Sequence, residues 1–330
     1  MTAAHLRFGV IGVGIIGRKH VERIRQDDVP AELVAVADAS AEAARSIASD
    51  YGVEAETVEG LLVREDVDAV VIAIPSGLHA DAAVAALDAG KHVLLEKPID
   101  VTVDAADRII AAERRSGKVL SVVSQRRFLP ESGFLRESIR SGSLGSITSA
   151  TVEIALWRTQ EYYDSGAWRG TWALDGGGAL MNQGVHLVDL ALWLLGEVEE
   201  VHAYGGLLAH ENIEVEDTIS ITARFAAGGV LTFLASTTAY GDLPIRMAIM
   251  GDGGSAVTVG GTIEHFVTAQ DDELPAFEPN DMQRTQLLDF IGAVENEREP
   301  VVTSTQARAA VAFIEAAYES MRSGKPVRPR

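Results

Sequence analysis

The sequence predicts an α/β domain with a parallel sheet over residues 1–124, followed by an α+β domain with a mostly antiparallel sheet over residues 125–330. Three observations carry this prediction. The chain has 330 residues, more than a single hydrophobic core usually supports. Its first third alternates apolar runs with amphipathic stretches, which is typical of buried parallel strands covered by helices. After Gln125, apolar runs follow one another with turn residues between them, which is typical of strands linked by hairpins.

In the first domain, the predicted strands are short runs in which nearly every residue is apolar. We predict strands at Leu6–Ile11, Leu33–Ala37, Ala69–Ile74, His92–Leu95 and Val119–Ser124. Amphipathic helices are predicted between them at Ile16–Arg25, Ala41–Tyr51, His79–Ala89 and Val103–Ser116. Pro75, Gly90 and Gly117 directly follow three of these segments, where residues that end strands and helices are expected.

The second domain has a different rhythm, with several strands in succession. The predicted strands are Ser146–Leu156, Glu199–Ala209, Asp217–Phe225, Val230–Ser236 and Ile245–Met250. The predicted helices are Ser132–Ser141, Gly177–Leu195, Met282–Glu295 and Thr305–Arg322. Gly228-Gly229 lies between two strands and indicates a hairpin turn.

The composition excludes several function classes. The formal net charge is −20, and a field of this sign repels phosphate backbones and acidic lipid surfaces, so we expect no nucleic-acid and no membrane partner. The chain has no cysteine, which excludes disulfides and thiolate metal sites. No apolar run is long enough to span a bilayer, and no secretory signal is recognisable, so we expect a cytoplasmic protein.

The strongest local signal is the segment 12–17, Gly-Val-Gly-Ile-Ile-Gly, between a predicted strand and a helix. In a Rossmann domain, Gly12 permits the tight turn, Gly14 lets the backbone approach a pyrophosphate, and Gly17 allows close packing of helix on strand. Asp38 ends the next strand, where a carboxylate bonds the adenosine ribose and repels the 2′-phosphate of NADP. The sequence therefore predicts NAD as the cofactor, with NADP as the less favoured alternative. The predicted contacts in this region are Gly12, Gly14, Ile15, Ile16 and Asp38.

Two further loops follow strands of the same predicted sheet. Because ligands bind outside the carboxyl ends of parallel strands, we expect both loops to lie beside the cofactor. The cofactor contacts predicted there are Pro75, Ser76, His79, Glu96 and Lys97. The ammonium of Lys97 can hold a substrate hydroxyl and stabilise developing alkoxide charge. Each residue also has an ordinary explanation, since His79 can simply begin a helix and an isolated lysine usually lies on the surface.

The second candidate element is the predicted helix after Gly176, in which polar residues interrupt an apolar sequence. Asn182 and His186 are four residues apart, which places them on one face of an α-helix, about 40° apart. His186 can titrate near neutral pH and suits a base that removes a hydroxyl proton. Asp189 could orient a histidine or be a surface acid, and a satisfied core histidine is the alternative for His186. Asparagine is a poor metal ligand, so we expect no metal.

Aromatic residues and arginines precede this helix, including Trp157, Arg158, Tyr162, Trp168 and Arg169. Aromatic faces suit sugar rings, and guanidinium groups suit oxygen-rich or anionic groups. Packing in the core or between domains explains the same residues equally well.

Together these residues resemble the glucose-fructose oxidoreductase, inositol dehydrogenase and rhizopine catabolism family, Gfo/Idh/MocA. The resemblance covers essentially the whole chain and rests on four segments, namely Gly12–Gly17, Glu96-Lys97-Pro98, Gln125-Arg126-Arg127-Phe128, and the glycine-rich helix with His186 and Asp189. It implies a second domain with a large open sheet that forms subunit contacts in homodimers or homotetramers. It also implies Lys97 and His186 as the catalytic pair. Many members have aspartate where this chain has Asn182, which argues against a simple transfer of inositol specificity. The stretch from Trp168 to Gly184 is similar to members that oxidise amino-sugar uronates on nucleotide carriers.

The sequence thus predicts an NAD-dependent dehydrogenase that oxidises a secondary hydroxyl of a sugar, a cyclic polyol or a nucleotide sugar. The predicted catalytic residues are Lys97, His186 and Asn182, and the predicted substrate contacts are Lys97, Arg127, Trp157, Arg169, Asn182 and His186. Two alternatives stay open. One is an NADP-dependent sugar oxidoreductase with tightly bound cofactor, and the other is a non-catalytic regulator that senses dinucleotide.

Overall fold

A computed structural model describes residues 5–330 and divides the chain into two compact units. The first unit contains the chain up to Asp100, Asp104–Val123 and Arg284–Ala307. The second contains Val101–Val103, Ser124–Gln283 and Arg308–Arg330. The first unit is therefore discontinuous in sequence. The predicted ranges 1–124 and 125–330 assign Arg284–Ala307 to the second domain, whereas the structure groups this segment with the first unit.

The strands and helices are numbered in chain order. The strands are β1 Leu6–Ile11, β2 Ala31–Ala37, β3 Glu54–Glu56, β4 Ala69–Ile72, β5 His92–Leu95, β6 Leu120–Val122, β7 Ile147–Ala155, β8 Val198–Gly206, β9 Thr218–Phe225, β10 Val230–Ser236, β11 Arg246–Gly251, β12 Gly254–Val259 and β13 Thr262–Thr268. The α-helices are α1 Ile15–Ile24, α2 Ala41–Tyr51, α3 Val58–Leu62, α4 His79–Asp88, α5 Val103–Ser116, α6 Pro130–Arg140, α7 Gln160–Asp164, α8 Val185–Leu195, α9 Met282–Glu295 and α10 Ser304–Ser323. Short 3₁₀ turns cover Ser76–Leu78 and Gln125–Phe128, and a π-helical turn covers Ala179–Gly184.

The first unit is built on a parallel sheet in the order β3-β2-β1-β4-β5-β6. All neighbouring strands are parallel. The central strand β4 is buried over its whole length, as expected for a strand with helices on both faces. This confirms the predicted α/β Rossmann architecture. In such a sheet the strand order reverses between β1 and β4, and a crevice opens at the carboxyl ends of these two strands.

Helix α9 completes the core of the first unit although it lies far along the chain. Phe290 is fully buried, and its ring centroid lies 6.1 Å from that of Phe8 on β1. Gln286 donates a hydrogen bond of 2.8 Å to the carbonyl oxygen of Val122 on β6. Leu287 and Ile291 belong to the same apolar cluster, so this helix supplies core side chains that the first 124 residues lack.

The second unit contains a seven-stranded sheet in the order β13-β12-β11-β7-β10-β9-β8. Only β7 and β10 are parallel to each other, so the predicted mostly antiparallel sheet is confirmed. Strand β9 alternates strictly between buried and more exposed residues, which leaves one face of the sheet open. None of the helices within residues 5–330 is both long enough and apolar enough to cross a membrane.

Candidate active site

The glycine-rich turn between β1 and α1 requires glycine at two of its three positions. Gly12 has φ of +88°, and a Cβ there would lie 2.4 Å from the carbonyl oxygen of Ala73. A Cβ on Gly17 would lie 1.8 Å from the carbonyl oxygen of Gly12. A Cβ on Gly14, in contrast, meets no atom within 4 Å. The fold itself therefore needs Gly12 and Gly17, whereas Gly14 borders open space.

This open space lies at the N-terminus of α1. Gly14 caps the helix without a side-chain hydrogen bond, and the first turn contains no acidic residue. The first N–H groups of a helix have no partner within the helix and attract anions. Ile15 and Ile16 are 74% and 43% exposed, so apolar surface borders the same place. These features fit a dinucleotide whose pyrophosphate approaches the backbone at Gly14.

Asp38 is held by backbone groups on both sides. Its Oδ2 accepts a hydrogen bond of 2.8 Å from the N–H of Val13, and its Oδ1 accepts one of 2.9 Å from the N–H of Ser40. Each carboxylate oxygen has a second lone pair that can accept a ribose hydroxyl. The carboxylate is therefore oriented beside the glycine-rich turn, as a ribose-binding acid has to be.

Glu96 pairs with a histidine that the sequence did not single out. The Nε2 atom of His20 on α1 lies 2.8 Å from Oε1 of Glu96. Burial opposes ionisation of Glu96, but the hydrogen bond and charge of His20, with help from Lys97, lower its pKa to about 2. Oε2 also accepts a hydrogen bond of 3.1 Å from the N–H of Lys97. The Glu96 carboxylate thus ties α1 to the backbone of Lys97, and its predicted contact with cofactor stays a prediction.

His79 lies at the start of α4 and is fully buried. Its Nδ1 lies 2.8 Å from the carbonyl oxygen of Pro98, and its Nε2 lies 3.0 Å from that of Ile74. Burial lowers the pKa of His79. The imidazole joins the two loops that follow β4 and β5, which are the loops of Pro75, Ser76 and Lys97. Direct contact of His79 with cofactor stays a prediction.

The predicted helix Gly177–Leu195 is wrong in its first part. Residues Ala179–Gly184 form a π-helical turn, and α8 begins only at Val185. Asn182 therefore lies in the π turn and His186 in α8, so the expected α-helical offset of about 40° does not apply. A π turn inserts a wider loop of backbone and is frequent at functional sites. The side chain of His186 is half-buried.

Asn182 contacts a buried acid that the sequence analysis did not identify. Its Nδ2 donates a hydrogen bond of 2.5 Å to Oδ1 of Asp175, which is 2% exposed. Its Oδ1 accepts a hydrogen bond of 2.8 Å from Gln183, and Gln183 accepts one of 3.0 Å from Arg158. Many family members have an aspartate at the position of Asn182, and in this chain the nearby carboxylate belongs to Asp175.

Arg127 and Asp189 form a buried bidentate ion pair. Nε and Nη2 of Arg127 lie 2.7 and 2.5 Å from the two carboxylate oxygens of Asp189. Ser124 also donates to Asp189, and the Arg127 guanidinium lies 5.5 Å from the ring centroid of Trp193. Asp189 thus anchors α8 to the turn after β6, and the structure does not support its role as a surface acid. The predicted contact of Arg127 with substrate stays a prediction.

The aromatic and arginine residues form a cluster. The guanidinium carbons of Arg169 and Arg158 lie 4.3 and 5.4 Å from the ring centroid of Tyr162. Arg169 also stands 4.5 Å from the ring centroid of Trp168. Trp157 pairs edge-to-face with Tyr240, which is 87% exposed. Stacked cations and rings of this kind suit an oxygen-rich ligand.

Comparison with known protein families finds matches in both the nucleotide-binding part and the second part of the chain. Residues 6–124 match the model of an oxidoreductase family with an NAD-binding Rossmann fold. Residues 134–257 match the GFO/IDH/MocA C-terminal domain. The chain belongs to the Gfo/Idh/MocA family. The predicted family is confirmed, and the chain is an NAD(P)-dependent oxidoreductase that acts on CH–OH groups.

Members of the Gfo/Idh/MocA family with related sequences act on several substrates. Inositol 2-dehydrogenase of Rhizobium meliloti (strain 1021) is 28% identical, over 98% of this chain and 98% of the relative. D-glucoside 3-dehydrogenase of Escherichia coli (strain K12) is 31% identical, over 70% of each chain. The WlbA dehydrogenase of Bordetella pertussis, solved with NADH and UDP-GlcNAcA, is 32% identical, covers 98% of both chains and has a TM-score of 0.90.

Proposed function

We propose that this protein is an NAD-dependent dehydrogenase that oxidises a secondary hydroxyl of a sugar, a cyclic polyol or a nucleotide-linked sugar. The observation that carries the proposal is the open helix N-terminus at Gly14, with Asp38 fixed beside it. When bound, the nicotinamide of the cofactor accepts the hydride that leaves the oxidised carbon. The residues of the chain bind the cofactor, hold the hydroxyl and take its proton.

Asp38 favours NAD over NADP. Its carboxylate is oriented by Val13 and Ser40, and a 2′-phosphate at the same ribose would meet this negative charge. The two residues after Asp38 are Ala39 and Ser40, and the first arginine after them is Arg45, so no cation directly follows the acid to neutralise such a phosphate. We therefore expect a lower KM for NAD than for NADP. Replacing Asp38 by serine should narrow the difference between the KM values for NAD and NADP. An unchanged ratio of kcat/KM for NAD to kcat/KM for NADP would count against this assignment.

Lys97 and His186 are the residues that we propose for the reaction itself. The Lys97 ammonium donates a hydrogen bond to the substrate oxygen and stabilises negative charge that develops on it. The imidazole of His186 accepts the hydroxyl proton as the hydride leaves carbon. Asn182 contributes a hydrogen bond to substrate, and its contact with Asp175 fixes the orientation of its amide.

Of the possible substrates, one that carries an anionic group has specific support. Arg158 and Arg169 stand over Tyr162, and none of the ion pairs formed by residues 5–330 includes either guanidinium. Arginine is well suited to bidentate recognition of carboxylate and phosphate. The related WlbA dehydrogenase was solved with UDP-GlcNAcA, which carries both groups. We rank a nucleotide-linked sugar acid above a neutral polyol.

We also propose that the open face of the seven-stranded sheet binds a second copy of the chain. The register aligns one row of uncharged residues across five adjacent strands, Thr222, Thr232, Thr151, Ala248 and Val257, of which Ala248 is only 5% exposed. In the next row on the same face, Glu153 on β7 lies opposite Arg246 on β11. The ion pairs of Arg224 with Glu199 and Glu200 lie toward one edge. A face that combines uncharged residues with charges of both signs has a composition compatible with a subunit interface. Light scattering should show a dimer or tetramer, and Thr151→Arg should weaken it.

The deciding experiment measures NADH formation with NAD or NADP across inositols, free sugars and UDP-GlcNAcA. Lys97→Ala and His186→Ala should each lower kcat by at least about 100-fold while NADH binding persists. Lys325→Ala, on the exposed C-terminal segment, is the matched lysine control and should retain full activity. Near-normal turnover of both active-site variants would contradict the assignment. Release and identification of the cofactor from the purified protein tests the alternative with tightly bound NADP.

A further inference from the structure

One residue distant in sequence binds three consecutive N–H groups at the start of the π turn. Glu216 lies just before β9 and is 1% exposed. Its Oε2 accepts a hydrogen bond of 3.0 Å from the N–H of Gly178, and its Oε1 accepts one of 2.8 Å from the N–H of Leu180. Its backbone carbonyl oxygen accepts one of 3.1 Å from the N–H of Ala179. Glu216 therefore acts as the cap of this helical segment.

A buried tyrosine from α10 completes the same cap. The hydroxyl of Tyr318 donates a hydrogen bond of 2.9 Å to Oε1 of Glu216. It also accepts one of 3.2 Å from the N–H of Met181. Tyr318 is 3% exposed, so the pair is shielded from water. Glu216 and Tyr318 together bind the four N–H groups from residue 178 to residue 181, the groups that lack partners within a helix.

The glycines before the π turn are explained by this contact. A Cβ on Gly177 would lie 2.0 Å from the hydroxyl oxygen of Tyr318, and one on Gly178 would lie 1.8 Å from the carbonyl oxygen of Glu216. Gly177 also has φ of +157°. The backbone at these positions must therefore approach the cap more closely than any larger residue permits. The glycine-rich segment serves this packing as well as the entry into the helix.

The cap is a costly arrangement, which indicates that it serves a purpose. Burial raises the pKa of Glu216 to about 7, although its hydrogen bonds to the backbone and to Tyr318 oppose the shift. A serine or aspartate on the segment itself is the usual cap of a helix. Here the cap comes from two other elements, and the helical turn that it binds is of the rare π type.

We propose that Glu216 and Tyr318 are positioning residues for the dehydrogenase reaction, because they hold the π turn in place and so fix the positions of Asn182 and His186. The inference rests on the function proposed above for Asn182 and His186. Relaxation of the π turn to an α-helix would shift the backbone by one residue. A shift of one residue in an α-helix rotates a side chain by about 100°. Misplacement of a reacting group by about 1 Å already costs on the order of 100-fold in rate.

The test compares two cap variants with two matched controls. Glu216→Gln removes the carboxylate, and Tyr318→Phe removes one hydroxyl. Asp217→Asn is the control for the first, since Asp217 is also fully buried and accepts three N–H groups, those of residues 208–210. Ser320→Ala is the control for the second, since Ser320 on α10 is fully buried and accepts the N–H of Ala203.

Two measurements are made on each full-length variant. Hydrogen–deuterium exchange of a peptide covering residues 178–187 reports the cap without reference to activity. We expect exchange in this peptide to rise about tenfold in Glu216→Gln, to a smaller extent in Tyr318→Phe, and not in either control. Steady-state kinetics should show kcat lowered by about 10- to 100-fold in Glu216→Gln with KM for NAD unchanged. Both controls should keep kcat within about threefold of the wild-type value, even where they lose as much thermal stability as the cap variants or more.

Each outcome decides the proposal. Unchanged hydrogen–deuterium exchange in Glu216→Gln would show that Glu216 does not hold the π turn in place. Raised exchange with normal kcat overturns its role in positioning, and a kcat that falls equally in the Asp217→Asn control reduces the effect to general destabilisation. If the wild-type protein oxidises none of the tested alcohols, the proposed function fails, and the exchange measurement still decides whether Glu216 and Tyr318 hold the turn.

Discussion

Replacing Gly14 by alanine should weaken cofactor binding while leaving the fold intact. The φ angle of −64° at Gly14 is allowed for alanine, and a Cβ there meets no atom within 4 Å. Loss of a glycine cap costs about 0.5–1 kcal/mol, which corresponds to a fall in Tm of roughly 1–4 °C. The new methyl group projects into the space through which a phosphate reaches the N–H groups of α1. We expect NADH affinity to fall by at least about tenfold.

Gly17→Ala is the matched contrast within the same turn. Its Cβ would lie 1.8 Å from the carbonyl oxygen of Gly12, so α1 must move away from the turn by more than about 1 Å. Overpacking of this size costs about 3 kcal/mol, or roughly 6–12 °C in Tm. Gly17→Ala should therefore lose stability and cofactor binding together, whereas Gly14→Ala loses binding alone.

Two assays separate the variants. Quenching of tryptophan fluorescence by NADH gives the Kd, and thermal unfolding with and without NAD gives the stability and its increase on binding. The reasoning is refuted if Gly14→Ala binds NADH within twofold of wild type, because the open space at this glycine would then not be the pyrophosphate site. A fall of 10 °C or more in the Tm of Gly14→Ala would equally contradict the contacts described for this residue.

Three further predictions follow. Asn182→Asp places a second carboxylate about 2.5 Å from Asp175, so one of the two carboxyl groups stays protonated near neutral pH. We expect the pH–rate profile to be displaced by at least about one pH unit. An unchanged profile would show that Asp175 does not face residue 182. Arg169→Ala should raise KM for UDP-GlcNAcA about tenfold and leave KM for NAD unchanged, and equal effects on both would exclude a substrate role. The pKa of Glu96 is about 2 in the folded protein, below its ordinary value, so the stability that ionised Glu96 contributes with His20 is present above pH 4.5 and is lost as pH falls toward 2. Glu96→Gln should therefore lower the Tm at pH 7 and converge with wild type in acid, whereas a difference in Tm that grows on acidification would reverse the sign of this linkage.

The parallel sheet was predictable because its strands carry their signal locally. Leu6–Ile11 and His92–Leu95 were predicted with the bounds that the structure shows, since a strand buried on both faces is a continuous apolar run. Strands β12 and β13 were missed. The glycine pairs 253–254 and 260–261 border these two strands, and glycine pairs ordinarily indicate loops. In the structure β12 pairs with β11 and β13 pairs with β12, and these pairings join both segments to the sheet.

The candidate site was predictable only where a single stretch of sequence contains a recognisable motif. The glycine turn and Asp38 follow a known spacing. The residues that hold the site in place were missed, because their partners are distant in sequence; His20 lies 76 residues from Glu96, and Glu216 lies 36 residues from Leu180. The π turn was missed because it differs from an α-helix in its backbone hydrogen bonds, and the periodicity of a short, mostly apolar segment does not distinguish the two helical geometries.

The membership of α9 in the first unit has a consequence for biosynthesis. The nucleotide-binding half cannot close its core when residue 124 leaves the ribosome, since Phe290 and its neighbours are still about 160 residues away. At roughly 5–20 residues per second, this delay lasts on the order of 10–30 s. During this interval, the underside of the nascent sheet that Phe290 later covers stays apolar and uncovered. A fragment that stops at residue 124 should expose the same surface and aggregate, whereas joining residues 284–307 to it should restore solubility.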